Sequence, residues 1–221
     1  MIEIHVVTDA NRHLYRDALD QAHRLRHRIY IEELKWKGLK RRDDGREVDQ
    51  FDTEATVHLL AMEDGVVWGG TRLISSLEPH LLSDVFPHLA TVYGVPRRSD
   101  VAEWTRFYVA PERREDHKAS QLGNTILSSL VEYAQDEGMS AISVVLNTFW
   151  LPRFLGYRWK VQPLGLPQVH DDEWLIAALI SIDAACLANI RKACGLEGPS
   201  ALVRRGPQCP LVADRKHRQV A

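Results

Sequence analysis

Cysteine is scarce. Cys186, Cys194 and Cys209 are the only three in 221 residues, all late in the chain, odd in number and without a CxxC pair. That is neither a disulfide framework nor a zinc cluster, and it points to a reducing, cytoplasmic compartment. Long apolar runs are also missing. The stretch 175–180 falls far short of the roughly 20 residues a membrane helix needs, so no membrane partner is expected. The first residues, MIEIHVVTDANRHLYRD, are charged too early for a signal peptide. Charge of one sign is lacking as well: 28 Lys and Arg stand against 30 Asp and Glu, a formal −2. A dedicated nucleic-acid binder carries a large basic excess, so that class is excluded. No HExxH, G-x-S-x-G or P-loop is present, and no metal cofactor is expected.

What remains is the composition of an ordinary soluble domain, 45% hydrophobic and 26% charged. Ile2, Ile4 and Val6 alternate and predict a first strand. Thr8 and Asp9 suit a helix start, and Leu14, Ala18, Ala22, Leu25 and Ile29 predict one amphipathic helix over 11–34. Residues 35–54 form a long charged loop; six basic residues against two acidic ones give its 35–46 part +4. Segments 56–62 and 66–75 read as a hairpin, and 76–100 as short helical turns between prolines. Strands are predicted over 101–109, 141–146 and 174–182, and helices over 120–137, 148–157 and 183–194. The class is therefore α/β (α+β), a single domain with a mixed, mostly antiparallel central sheet flanked by helices. Residues 1–197 form the folded domain. The tail 198–221, with three prolines and five basic residues against Asp214 from 202 onward, is expected to be disordered or loosely docked.

Four constellations could carry chemistry. Arg26 and Tyr30, four apart on one helix face, precede Trp36; a guanidinium beside two aromatics can hold a carboxylate and a planar ring, or the three can simply be core and surface. Asp49 and Asp52 flank Phe51, with Arg72 on the hairpin, a set that can bind a cation or fix an arginine. Glu103 and Arg106 lie in an otherwise apolar strand, where charges are costly unless paired or functional. Facing one cleft, they need a bulge between them. Finally, Arg113, Arg114 and Lys118 precede a helix start at SQLGNT (120–125), where backbone N–H groups could receive phosphate.

In their order and spacing these pieces resemble the bacterial N-acyl-homoserine-lactone synthases, which make quorum-sensing autoinducers. The likeness runs over about residues 20–160. It rests on Arg26, Tyr30 and Trp36; on Glu47-Val48-Asp49-Gln50-Phe51-Asp52; on Gly69-Gly70-Thr71-Arg72-Leu73; and on Glu103-Trp104-Thr105-Arg106-Phe107. Tyr30 stands where the family usually has Phe. The resemblance implies the acyl-CoA N-acyltransferase superfold. It also implies transfer of an acyl group from a thioester to the amine of S-adenosyl-L-methionine, then lactonisation with release of methylthioadenosine. Glu103 is then the base, with Arg106, Asp49, Asp52 and Arg72 in the catalytic network. Arg26, Tyr30, Trp36, Arg106 and Phe107 hold S-adenosylmethionine. Trp104, Val144, Leu146 and Trp150 line an acyl pocket suited to a short, branched or aromatic group. The donor is acyl-CoA or an acyl carrier protein. Two other readings stay open on sequence: a generic acetyl-CoA-dependent N-acetyltransferase and a non-catalytic ligand-binding regulatory module.

Overall fold

Ile4 and Val6 leave the first strand, β1 (Glu3–Val7), on one side, and His5 and Val7 leave it on the other. All four are buried, and this burial on both faces recurs across the sheet. The protein is seen here as a computed structural model that describes residues 1–115 and 120–211. Its hairpin is β2 (Thr56–Glu63) and β3 (Val66–Ser75), followed by β4 (Val101–Val109) and β5 (Ala141–Asn147). Short β6 (Val161–Pro163) and β7 (Gln168–His170) precede β8 (Glu173–Ser181), and β9 (Leu202–Val203) comes last. The strand order is β6-β8-β5-β4-β3-β2-β1-β9, with β7 also on β8. Neighbours are antiparallel except for β4 with β5 and β1 with β9.

Helices cover both faces, so the strands read as nearly continuous apolar runs. On one face Ile126, Leu127, Leu130 and Val131 of α3 (Gln121–Asp136) pack on Leu59, Leu73 and Trp104. Phe154 of α4 (Leu151–Gly156) and Ile190 of α5 (Cys186–Cys194) extend that core. On the other face Ala18, Leu19 and Ala22 of α1 (Arg16–Arg26) meet Leu60 and Tyr108. Farther along that face, Leu82 of α2 (Leu81–Asp84) joins Leu89, Leu164 and Ala177. Between these two apolar clusters, over β3 and β4, the face is polar. Among the described residues no helix is long and apolar enough to cross a membrane.

The single helix expected over 11–34 is three segments. A 3-10 turn (Asp9–Tyr15) leads into α1, which opens into a π-helix (His27–Glu33). Leu14, counted in the apolar stripe, is exposed, because Asn11 rather than an apolar residue holds the first turn inward. The described part of the tail is docked. β9 joins the sheet edge, Arg204 pairs with Asp136, and the Cys209 N–H donates to Thr8 Oγ1. The C-terminal stretch 212–221, like the linker residues around Lys118, lies outside the described residues.

Asn11 ties tail and body together: its Nδ2 donates to the carbonyls of Val6 and Arg205, both at 2.9 Å, while its Oδ1 accepts from Thr8 N at 2.7 Å. Leaving buried partners unsatisfied costs about 1–3 kcal/mol. Asn11→Ala is therefore expected to lower the unfolding free energy by about 2 kcal/mol in a urea titration. A loss within error of zero would mean that the tail is not held in solution.

Candidate active site

The polar gap between the apolar clusters is filled by three arginines and three carboxylates. Arg26 forks onto Asp52 with two bonds of 2.8 Å and donates its Nε to Glu47. Glu47 accepts from Arg106 at 3.0 Å, and Arg106 donates to Asp49 at 2.7 Å. Asp49 takes both terminal nitrogens of Arg72, at 2.6 and 2.9 Å, and Arg72 reaches Asp52 at 2.9 Å. The six side chains thus close an alternating ring with no net charge. Arg26 and Arg72 are fully buried. Burial opposes ionisation of Asp52, but the charge and hydrogen bonds of Arg26, then Arg72, outweigh it and hold the carboxyl well below the usual carboxylate range. Asp49 is lowered in the same way, against its burial, by Arg72 and Arg106.

The loop segment that supplies the carboxylates is itself ordered by them. Asp49 N donates to Asp52, Phe51 N donates to Asp49, and Phe51 is buried as an anchor. Arg26 is therefore a full member of the network: each of its guanidinium nitrogens donates to Glu47 or Asp52. Glu47 also belongs to the ring, which its place in a charged loop does not signal.

The bulge required between Glu103 and Arg106 is present. The β3–β4 register runs Arg72 to Thr105 and then Gly70 to Tyr108, so β4 carries an extra residue there. Arg106 has φ +52°, in the left-handed region that non-glycine residues seldom occupy. Its Nε and Nη2 belong to the ring. Such strain gathers at functional sites. Tyr30, on the π-helix, stacks on Trp36 at 4.6 Å, and its hydroxyl donates to the Phe107 carbonyl at 2.8 Å. Trp36 keeps 42% of its surface exposed, so its outer face is open to a planar group. The Phe107 ring points away from these residues. It lies on the α3 face, 6.1 Å from Trp104 and 5.7 Å from Trp150, and only its backbone carbonyl meets Tyr30.

Glu103 sits on the ring's face of the sheet, fully buried. Its two oxygens accept N–H bonds from Leu81 (2.9 Å) and Leu82 (2.6 Å) at the start of α2. Burial pushes its carboxyl up to about 7, against those bonds and the charges of Arg72 and Arg106. On the opposite face Trp104, Val144 and Leu146 are buried beside Trp150. β4 and β5 pair from Val101–Ala141 to Trp104–Val144 and then part. The pairing of the two strands thus ends at Trp104, one residue beyond Glu103.

A likeness to known proteins agrees with this arrangement. The family model for autoinducer synthases matches residues 10–190. This chain belongs to the autoinducer synthase family. It is 41% identical over 210 residues to an isovaleryl-homoserine lactone synthase of Bradyrhizobium diazoefficiens, spanning 95% of this chain and 93% of that one. A CoA-dependent acyl-homoserine lactone synthase solved with SAM and isopentyl-CoA superposes with TM-score 0.89 and 40% identity, over 96% of this chain and 97% of the other. An acyl-CoA N-acyltransferase from Pseudomonas aeruginosa, 16% identical with TM-score 0.57 over 81% of this chain and 99% of the other, shares the fold alone.

Within this family member, His23 and His27 are four apart, a spacing that can hold a metal. Among the described residues, however, no group of three metal-ligating side chains forms. His23 turns against His58 and His27 pairs with Glu32.

Removing one partner from a buried ion network strands the rest, at about 3–5 kcal/mol. Asp52→Asn is expected to lose that much at pH 7. Because the folded Asp52 is lowered below its ordinary 3.8, the wild-type contribution is full above that pH and drains away as the pH falls below it. The variant's urea midpoint should therefore be lower at pH 7 and fall less steeply below about pH 4. Parallel curves would contradict the ring.

Proposed function

We infer that this protein is an acyl-homoserine-lactone synthase that takes a short, branched acyl group from a CoA thioester. The observation that carries this reading is the gap where β4 and β5 part. The Glu103 carboxyl lies on one face there, and the rings of Trp104, Phe107 and Trp150 cluster on the other. The names of the two similar synthases support the branched acyl group and the CoA donor.

S-adenosylmethionine lies on the ring face, its adenine on the outer side of Trp36 and its carboxylate near Arg106, whose Nη1 is outside the ring contacts. The acyl chain lies on the α3 face, with its thioester in the gap. The substrate amine arrives protonated, and Glu103 takes that proton. The freed nitrogen attacks the thioester carbonyl, whose developing oxyanion meets backbone N–H groups left unpaired where the strands separate. The thiolate departs, forming the amide. The methionine carboxylate then attacks its own γ-carbon and displaces methylthioadenosine. The positive sulfonium is a good leaving group, so the site needs chiefly to hold carboxylate and carbon together.

The basic loop bears on the donor. In it Arg42 pairs with Asp44, and Arg46 with Asp20 and Asp44. Lys35, Lys37, Lys40 and Arg41 are the remaining cations for an anionic donor. Incubation with S-adenosylmethionine and a panel of acyl-CoAs and acyl carrier proteins, read by mass spectrometry, tests the function. Methylthioadenosine and lactone are expected together, most with a short branched acyl-CoA. Neither product from any donor would overturn the reading, and products from carrier proteins alone would move the donor assignment.

Two variants probe the assigned groups. Glu103→Gln is expected to cut kcat at least a hundredfold with a smaller change in KM. In the wild type, kcat/KM should fall as the pH drops through about 7, as Glu103 gains its proton. Trp150→Ala should shift preference toward longer acyl-CoAs, measured as the ratio of kcat/KM for a six- or eight-carbon donor to that for the branched one. An unchanged ratio would remove Trp150 from the pocket.

A further inference from the structure

The surroundings of Glu103 are one-sided. Leu81 and Leu82 offer backbone N–H groups, and Arg72 and Arg106, the charges facing it from β3 and β4, can only donate. Just before α2, His80 Nδ1 bonds within its own turn to the Glu78 carbonyl and Ser83, while its buried Nε2 has no hydrogen-bond partner among the described residues; Asp84 accepts from Ser83. Thr105, two residues along the same face, already accepts from Arg72. These groups suit an ionised carboxylate. They provide poorly for the acid that forms once Glu103 has taken a proton, because that acid must donate.

Across the strand pair from Glu103, a hydroxyl can serve both states. Ser143 on β5 is the register partner of Glu103 across the parallel pair, so the two side chains leave the sheet on the same face. Ser143 is fully buried, and among the described residues its hydroxyl has no hydrogen-bond partner. An unpaired buried hydroxyl is unfavourable in a resting structure. Nothing across β5 relieves it, since its neighbour on β8 is Leu179. A hydroxyl both donates and accepts.

We propose that Ser143 is a positioning residue for the acyl transfer, donating to Glu103 while the carboxylate is ionised and accepting from it once the carboxyl is protonated. The proton moves from the substrate ammonium nitrogen to a Glu103 oxygen. Ser143 keeps its own proton and only rotates its O–H bond. The carboxyl thereby stays in one orientation through the transfer. The proposal rests on Glu103 being the base.

The test is kcat/KM for methylthioadenosine release against pH, on the full chain, for wild type, Ser143→Ala, Ser143→Thr and Glu103→Gln. A hydrogen bond to a carboxylate is stronger than one to the neutral acid. Ser143→Ala should therefore raise the acid limb by about half to one pH unit. It should lower kcat about tenfold near neutrality while leaving KM for S-adenosylmethionine in place. Ser143→Thr, which restores the hydroxyl, should bring the limb back. The ligand-free Ser143→Ala protein should keep a cooperative melt close to that of wild type, so that its kinetic change is read on folded enzyme. An acid limb that Ser143→Ala leaves unmoved overturns the proposal, as does a defect confined to KM. Glu103→Gln separates the two claims. If it retains the limb, the base assignment fails; if it abolishes the limb while Ser143→Ala does not shift it, only the role of Ser143 fails.

Discussion

Three arginines cannot be buried between two apolar clusters unless each carries a matching carboxylate, and here the match closes on itself. Arg26, Glu47, Arg106, Asp49, Arg72 and Asp52 alternate around a ring, each charge touching two of the opposite sign. Desolvating any one of them alone would cost several kcal/mol. The ring has another consequence that a hydrophobic filler would lack. Its members come from a helix end, a loop and two strands, so it fixes those four elements against one another. The loop 47–52 has few apolar contacts beyond Phe51; its position over the sheet is set by the charges it delivers.

The bulge in β4 depends on the same ring. Left-handed backbone at Arg106 is unfavourable for a residue with a side chain, and Glu47 and Asp49 hold that side chain in place. Tyr30 fastens the next peptide by donating to the Phe107 carbonyl. Gly70 is needed here for space: a Cβ would meet Leu59 O at 2.7 Å and the Tyr108 hydroxyl at 2.8 Å. With the bulge in place, Glu103, Thr105 and Arg106 share one face, while Trp104 and Phe107 share the other. β4 and β5 part beyond Trp104, at the level where these two sets of side chains leave the sheet.

Much of this was legible in the sequence. The strand expected over 101–109 is β4, and the hairpin and central helix fall within a few residues of their expected places, because their apolar periodicity is strong and caps such as Ser120 mark their ends. The need for a bulge followed from two charges of opposite facing in one strand. What was not legible depended on the third dimension. Widening of the helix at His27–Glu33 leaves no periodic mark over so short a stretch. β9 is two residues long and is recruited by the edge of β1, so a basic, proline-containing tail concealed a strand. The place of Arg26 in the ring was not legible, because spacing alone cannot show that a guanidinium is held by three bonds to a distant loop. Phe107 changed face because the extra residue shifts the alternation for everything after it.

The central claim is that the ring is one unit joining the 47–52 loop to the β4 bulge. Hydrogen–deuterium exchange on the wild type and on Glu47→Gln tests it most directly. In the wild type the amides of 47–52 and 105–107 should both exchange far more slowly than those of the exposed 37–45 stretch. In Glu47→Gln, which touches neither Arg72 nor the strand backbone, protection should fall in 47–52 and in 105–107 together, with β1 and β8 unaffected. Loss in the loop alone, with the bulge as protected as before, would contradict the account.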